Sequence, residues 1–368
     1  MDNSRRDILK LLACGAALCP MMAGGRALSG ENKLHQALYW EPQKDQKIKC
    51  LLCPRQCIVA DKERGTCGVR ENNGGIYYTL VHSRPCSLNI DPIEKKPLFH
   101  FKPGSEAFSL ATAGCNIECR FCQNWEISQF RPEQISSKSV SPKEVVRHAQ
   151  RLGASSIAFT YSEPVIFYEY MLDICKAAEG SGVGRIMISN GYINLKPLAQ
   201  LLPHLDGIKI DFKAFSESFY KNICSAHLRP VLETLINIKK AGIWLELVVL
   251  TIPTLNDSPR EIEAMSRWIV KYLGPDVPIH FTRFHPMYKI KNLPPTPVKT
   301  LEHARKIAMN AGIHFAYAGN IPGHPGENTY CHKCGASIIV RTGYQISSNN
   351  LVDGRCPKCK TPLAGIWK

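Results

Sequence analysis

No basic run in this 368-residue sequence is longer than two residues, although the formal net charge is +15. A scattered excess of that kind reads as a solvated, mildly basic surface. It gives no argument for nucleic-acid binding, while an acidic partner or an anionic ligand such as a carboxylate stays open. Long apolar runs are missing too. The best candidate, Leu11–Ala23, is too short for a comfortable transmembrane helix. No local general acid or base stands out, which turns attention from proton-transfer chemistry to bound groups. Apolar and charged fractions of 44% and 21% are those of a soluble globular protein. The length exceeds one ordinary core, so a main domain with attachments is expected.

What the chain has in excess is cysteine, sixteen in all. Most fall into three clusters: Cys50/Cys53/Cys57/Cys67, Cys115/Cys119/Cys122 and Cys331/Cys334/Cys356/Cys359. Disulfide frameworks suit small secreted domains, not a long α/β chain with CxxC pairs, so these read as metal ligands. The middle cluster lies in Ala113–Trp125, with three and then two residues between its thiols. Thiolates ligate iron–sulfur clusters, normally four to a cubane. Three local cysteines therefore leave one iron open, and an open position separates a catalytic metal site from a closed structural one. Phe121, just before the third cysteine, offers a flat face beside it. A zinc knuckle lacking one ligand, or three unrelated buried cysteines, is the plainer alternative.

Four parts follow in chain order. Residues 1–30 carry paired arginines (Arg5, Arg6), a short apolar stretch and small residues near Gly24, like a twin-arginine export signal. Such a leader implies export or membrane attachment; a vestigial leader on a cytoplasmic enzyme is the alternative. Residues 31–105 form a Cys-rich metal-binding segment, with Gly and Pro at turn positions around Cys50, Cys53, Cys57 and Cys67 for zinc or an iron–sulfur cluster. Over 106–320 strand and helix alternate: Ala107–Ala113, Pro142–Leu152, Ser156–Tyr161, Val165–Glu179, Gly184–Ser189, Leu195–Leu202, Gly207–Phe212, Arg229–Ala241, Ile243–Ile252, Pro259–Leu273, Ile279–Phe284, Val298–Ala311 and Ile313–Ala318. Ser141 before Pro142, with Glu144 in the first turn, marks a helix start. Short connections suit parallel βα units. The expected fold is α/β, a partial (β/α)6 TIM-type barrel with its chemistry at the carboxyl ends of the strands. Ser162-Glu163, Asn190, Asp211, Lys213 and His285 fall there. Each has a bland explanation as a turn or packing residue, and their joint occurrence at consecutive strand ends raises them together. Residues 321–368 hold CxxC pairs either side of a short β-rich segment, a zinc-ribbon or rubredoxin-like module for zinc or iron.

The motif Cys115-xxx-Cys119-x-Phe121-Cys122 resembles the signature of radical S-adenosylmethionine (SAM) enzymes. From about residue 37 the chain resembles the radical SAM component of the AmmeMemoRadiSam system, related to pyruvate formate-lyase activating enzymes. The stretches that carry this are Cys50–Arg55, Arg64–Arg70, Asp91–Phe101, Cys122–Ser128 and Gly323–Cys331. The resemblance implies a 4Fe–4S cluster on Cys115, Cys119 and Cys122, whose unique iron takes the amino and carboxylate groups of SAM. It implies that Phe121, Ser162, Glu163, Asn190, Asp211, Lys213 and His285 line the SAM pocket. Lys213 would pair with the SAM carboxylate and Glu163 with its ammonium. Serine and tyrosine stand where activases carry glycines before Glu163, and Ile188-Ser189 replaces their acidic residue.

The implied reaction is one-electron reductive cleavage of SAM to methionine and a 5′-deoxyadenosyl radical, which takes hydrogen from an unidentified substrate. Activation of a glycyl-radical enzyme is one alternative. A non-enzymatic iron–sulfur electron-transfer or metal-scaffold protein is another. Implied partners are a one-electron donor of flavodoxin or ferredoxin type, a substrate that could be a protein, and Memo-like and AMMECR-type proteins.

Overall fold

Short strands separated by turn residues begin the computed structural model, which describes residues 34–368. The leader expected over 1–30 lies outside the described residues. β1 (His35–Gln36), β2 (Trp40–Pro42), β3 (Ile48–Cys50), β4 (Ile58–Val59), β5 (Arg70–Asn73) and β6 (Ile76–Thr79) form two three-stranded antiparallel sheets, ordered β1-β6-β5 and β2-β3-β4. A knuckle-like segment with no apolar run of its own reaches order this way, by pairing short strands.

The main sheet has eight strands: β7 (Ser87–Pro92), β8 (Glu106–Ala111), β9 (Ser156–Phe159), β10 (Gly184–Ser189), β11 (Gly207–Asp211), β12 (Trp244–Thr251), β13 (Ile279–Arg283) and β14 (Ala316–Gly319). From β8 to β14 neighbours are parallel and in chain order, and β7 is an antiparallel edge strand on β8. The sheet thus crosses the expected boundary at residue 105. An antiparallel partner one connection away costs little chain, and the alternation of Leu88 and Ile90 with polar neighbours is a strand signal only five residues long. β9 is buried at every residue, as sheets covered on both faces require.

The helices are α1 (Trp125–Ser128), α2 (Pro142–Arg151), α3 (Tyr168–Ala177), α4 (Leu195–Leu201), α5 (Glu217–Cys224), α6 (Leu228–Lys240), α7 (Pro259–Tyr272) and α8 (Val298–Asn310). Ser141 and Glu144 form the expected capping box, with Pro142 opening the helix. The helix expected from Val165 instead begins as a 3-10 turn over Pro164–Phe167, because Glu163 caps the Val165 N–H at 3.1 Å and tightens that turn. α5 was not legible. It ends where Ser225 takes a left-handed φ of 52°. The C-terminal module adds β15 (Thr329–Tyr330), β16 (Ser337–Thr342) and β17 (Gln345–Asn349), an antiparallel sheet of which β16 and β17 lie between the CxxC pairs.

The amino end of the sheet is closed by residues 93–105, which join β7 to β8. Glu246 at the foot of β12 is fully buried and accepts the N–H groups of Phe99 (3.0 Å) and His100 (2.8 Å). Its remaining bonds come from Trp244 Nε1 (3.0 Å) and His280 Nε2 (2.8 Å). Phe101 fills the space beside Gly207, where an added Cβ would stand 3.0 Å from the ring. The C-terminal module packs on the other side of this plug through Ile366 N–H to His100 O at 2.7 Å and Arg341 Nη2 to Phe99 O at 2.9 Å.

The N-terminal sheets are tied to α3 by one buried ion pair. Arg70 donates to both Glu169 oxygens, at 3.2 and 2.7 Å, with the side chains 1% and 2% exposed. Removing one partner of such a pair strands the other charge, which costs about 3–5 kcal/mol. Arg70→Met is expected to lower stability by that amount in urea denaturation. A loss below about 1 kcal/mol, the worth of a surface pair, would refute the role.

Candidate active site

One cavity of about 680 Å³ runs along the carboxyl ends of the parallel strands, a volume typical of small-molecule sites. Cys115, Cys119, Cys122 and Phe121 line it from the loop after β8. Ser162 and Glu163 contribute from β9, Asn190 from β10, Asp211 and Lys213 from β11, and His285 from β13. All the residues expected at the central site therefore share one wall system. His285 is exposed at the rim, while Glu163 and Asn190 are buried.

The cysteine loop is held from both sides. Gly114 has a φ of +96°, and a Cβ there would stand 2.6 Å from Val69 Cγ1 and 2.7 Å from Cys67 O, so only glycine lets the N-terminal segment pack so close. The Glu118 and Arg120 N–H groups bond the carbonyls of Cys224 and Ile223 at 3.0 and 2.9 Å. Asn190 Nδ2 points at Cys115 Sγ from 3.8 Å and donates to Asn116 Oδ1 at 2.9 Å. Ser128 Oγ is 3.2 Å from Cys122 Sγ. The three thiols do not converge on a single point, unlike the C-terminal four. Such an arrangement suits a polynuclear cluster, in which each thiolate holds a different iron, better than one metal ion.

Glu163 is the hub of the facing wall. Its Oε1 accepts from Ser189 Oγ at 2.6 Å and Val165 N, and its Oε2 accepts Asn190 N at 2.8 Å. Burial pushes its carboxyl up to about 7, against the pull of these donors. Ser162 Oγ, beside it, is buried without a partner among the described residues. An orphaned hydroxyl on a cavity wall is what an absent polar ligand would leave. Tyr161, in place of a glycine, keeps the left-handed backbone with φ 64°. Its O–H bonds Asp91 instead.

On β11 Asp211 lies between two lysines, paired with Lys209 and, at 3.2 Å, with Lys213. Burial would raise this carboxyl, but the two ammonium charges hold it at about 2. Lys213 also sits 5.8 Å from the Phe121 ring centroid. Sequence reasoning missed Lys209, although alternation along the strand places it on the same face as Asp211 and Lys213. It also missed Lys95 and Lys96, which reach the cavity from the plug, and Tyr344, which reaches it from the turn between β16 and β17. No local pattern announces these. Cys224 was overlooked too; it is buried against the cysteine loop.

The two outer cysteine clusters differ. Cys331, Cys334, Cys356 and Cys359 bring their sulfurs within 4.8 Å of one another, with Cys331–Cys359 at 3.5 Å and Cys334–Cys356 at 3.7 Å. Four thiolates about 2.3 Å from a tetrahedral ion stand about that far apart. Cys50, Cys53, Cys57 and Cys67 do not converge in this way among the described residues. The β3–β4 pairing extends to two of them, with Cys50 N donating to Cys57 O at 2.9 Å. Burial pushes Cys53 up to about 12 and Cys67 up to about 11.

Comparison with known proteins agrees with this geometry. The family model of the radical SAM superfamily matches residues 109–269. An uncharacterized protein of Methanocaldococcus jannaschii is 45% identical over 327 residues, covering 89% of this chain and 97% of its own. A second uncharacterized protein of that organism is 25% identical over 284 residues, 73% of this chain and 76% of its own. The pyruvate formate-lyase-activating enzyme of Clostridium pasteurianum is 23% identical over 167 residues, 42% of this chain and 66% of its own. The family match begins on β8 and spans the cysteine loop: the chain carries a radical SAM domain and is a radical SAM enzyme.

Proposed function

We propose that this enzyme holds a 4Fe–4S cluster on Cys115, Cys119 and Cys122 at the mouth of a partial barrel. SAM would bind between Lys213, which takes its carboxylate, and Glu163, which takes its ammonium. When bound, the cluster would supply one-electron reduction, fed by a donor of flavodoxin or ferredoxin type, for cleavage of the SAM C5′–S bond to methionine and a 5′-deoxyadenosyl radical that takes hydrogen from substrate. The observation that carries this reading is the single cavity shared by the three thiols, the Asp211–Lys213 pair and Glu163.

The chain's own groups divide the work. Glu163 Oε2 carries one backbone bond, from Asn190, so it keeps acceptor capacity for an ammonium. Lys213, held by Asp211, stays charged and offers its other N–H groups to a carboxylate. Asn190 and Ser128 orient the outer two thiols. Phe121, 4% exposed, keeps water from the face of the loop. Zinc is the proposed occupant of Cys331, Cys334, Cys356 and Cys359. A second reading, activation of a glycyl-radical enzyme, is favoured by the likeness to the Clostridium pasteurianum enzyme.

Anaerobic reconstitution and reduction with SAM is expected to yield 5′-deoxyadenosine, and Cys119→Ser to cut it by more than about a hundredfold, since it removes a ligand and not merely its support. Metal analysis should show iron lost and zinc retained in that variant, and the reverse in Cys356→Ser. An intact cluster with no product above the variant would favour a non-catalytic iron–sulfur protein.

Glu163 sets a pH dependence. Protonation removes the charge that attracts the SAM ammonium, so affinity should fall by up to about tenfold per pH unit below 7 and level off above it. The unliganded protein should behave oppositely. A carboxyl raised by folding binds more protons than the unfolded chain does, so stability declines as pH rises from the ordinary carboxyl range to 7. Equilibrium SAM binding in wild type and Glu163→Gln checks this; a pH slope retained in the variant refutes it.

We further propose that the twin-arginine leader directs export of the folded, cluster-loaded enzyme. Changing Arg5 and Arg6 to lysine should retain the protein in the cytoplasm on fractionation, and unchanged distribution would count against the leader.

A further inference from the structure

Two buried ammonium groups in the cavity have no task in SAM binding. Lys96 is 3% exposed and Lys209 5% exposed, and both line the cavity. Lys96 Nζ donates to Asp91 Oδ2 at 2.6 Å and lies 4.3 Å from the Tyr161 ring centroid. Lys209 Nζ bonds Asp211. Each ammonium has three donors, and each has one hydrogen-bond acceptor among the described residues. Their two carboxylates are shared as well: Lys95 takes Asp91 Oδ1 at 2.7 Å and Lys213 takes Asp211 Oδ2 at 3.2 Å. Two Lys–Asp–Lys triads thus face one cavity, each with a surplus positive charge. Lys95 is 44% exposed and reaches solvent, and Lys213 is assigned to SAM, so the donors that stay both buried and unfilled are those of Lys96 and Lys209, and donors left so are costly unless a ligand supplies acceptors.

The first triad is rigidly placed. Glu94, beside Lys95, is buried; it accepts Gly104 N at 3.0 Å and sits 3.7 Å from the buried Arg341 of the C-terminal module. Asp91 also accepts the Tyr161 hydroxyl, from the strand end that carries Glu163. Burial pushes the Lys96 ammonium down to about 8, and the charge of Lys209 adds to that.

We propose that Lys96 and Lys209 form the substrate-anchoring site of this enzyme, holding a carboxylate or phosphate group of the substrate beside the SAM pocket. This rests on the radical SAM reading of the cavity. The anion would accept the free N–H groups of both lysines, deeper along β11 than the Lys213 assigned to SAM. It would fix which hydrogen faces the radical. A substrate without an anionic group would leave both ammoniums unsatisfied and bind poorly.

The test uses the full-length, cluster-loaded protein saturated with SAM and without reductant, titrated calorimetrically with inorganic phosphate and separately with malonate. Saturable binding of one or both is expected, and the stronger of the two identifies the anion. Charge-assisted hydrogen bonds are worth about 1.5–3 kcal/mol, so Lys96→Gln and Lys209→Gln should each weaken binding by about tenfold or more. Lys96→Arg, which keeps the charge, should restore most of it. The two substitutions lie on separate elements, so if one variant fails to fold, the other decides. Absence of saturable heat in wild type, or equal affinity in folded variants (an adventitious ion only), would overturn the site. Calorimetry needs no turnover, so a silent titration alongside normal 5′-deoxyadenosine formation sinks the anion site alone; absent 5′-deoxyadenosine sinks the radical SAM reading itself.

Discussion

The carboxylate of Glu246 is the point on which the rest of the structure depends. It is fully buried at the foot of β12, where an unpaired charge would not persist, and four donors surround it. Two of them are backbone N–H groups of the plug that closes the amino end of the sheet. Burial would raise this carboxyl; His280 and the other donors hold it below its ordinary range. Because the plug is pinned here, Lys95 and Lys96 have a defined reach into the cavity. The C-terminal module has a surface to dock on for the same reason, through His100, Phe99 and Arg341.

The site concentrates buried charge to a degree that packing alone does not reward. Lys96, Asp91, Lys209 and Glu163 are each at most 5% exposed, yet stability would be served as well by apolar residues of similar volume. Their pairing is incomplete in a consistent way: acceptors run short beside Lys96 and Lys209, and a donor-capable hydroxyl is stranded at Ser162. Incomplete pairing aimed at one cavity is the signature of a site that ligands complete. The carboxyl ends of the parallel strands gather these groups around one cavity.

Three cysteine clusters of similar spacing fold into three different geometries. The C-terminal four are closed to tetrahedral spacing by a β-hairpin that brings two CxxC turns face to face. The central three stay apart because they follow a strand end and are braced by Asn190, Ser128 and the α5 carbonyls. The first four are not gathered to that spacing among the described residues. Ligand type and spacing alone could not separate these outcomes, because the distances are set by which strands pair.

The parallel strands and most of the amphipathic helices were legible because each is specified by neighbours a few residues away. β10 occupies Gly184–Ser189 as expected, and Ser141 and Glu144 cap α2 by local hydrogen bonds. The cavity-lining residues that sit in local motifs (the central cysteines, Ser162-Glu163, Asn190, Asp211 and Lys213) were legible for the same reason. β7, α5, Lys96 and Tyr344 were not: β7 and α5 carry only short marks, a brief alternation and a Ser216 cap, and nothing local marks the two side chains. By itself the sequence determined the order of the parallel strands, the cysteine loop and the residues at the strand ends. Tertiary structure alone decided which of the remaining charges meet, since Lys96 comes within the field of Lys209, 113 residues later, only through the fold. Contacts between residues so distant in the chain are set by long-range strand pairing and buried electrostatics, which no short window of sequence encodes.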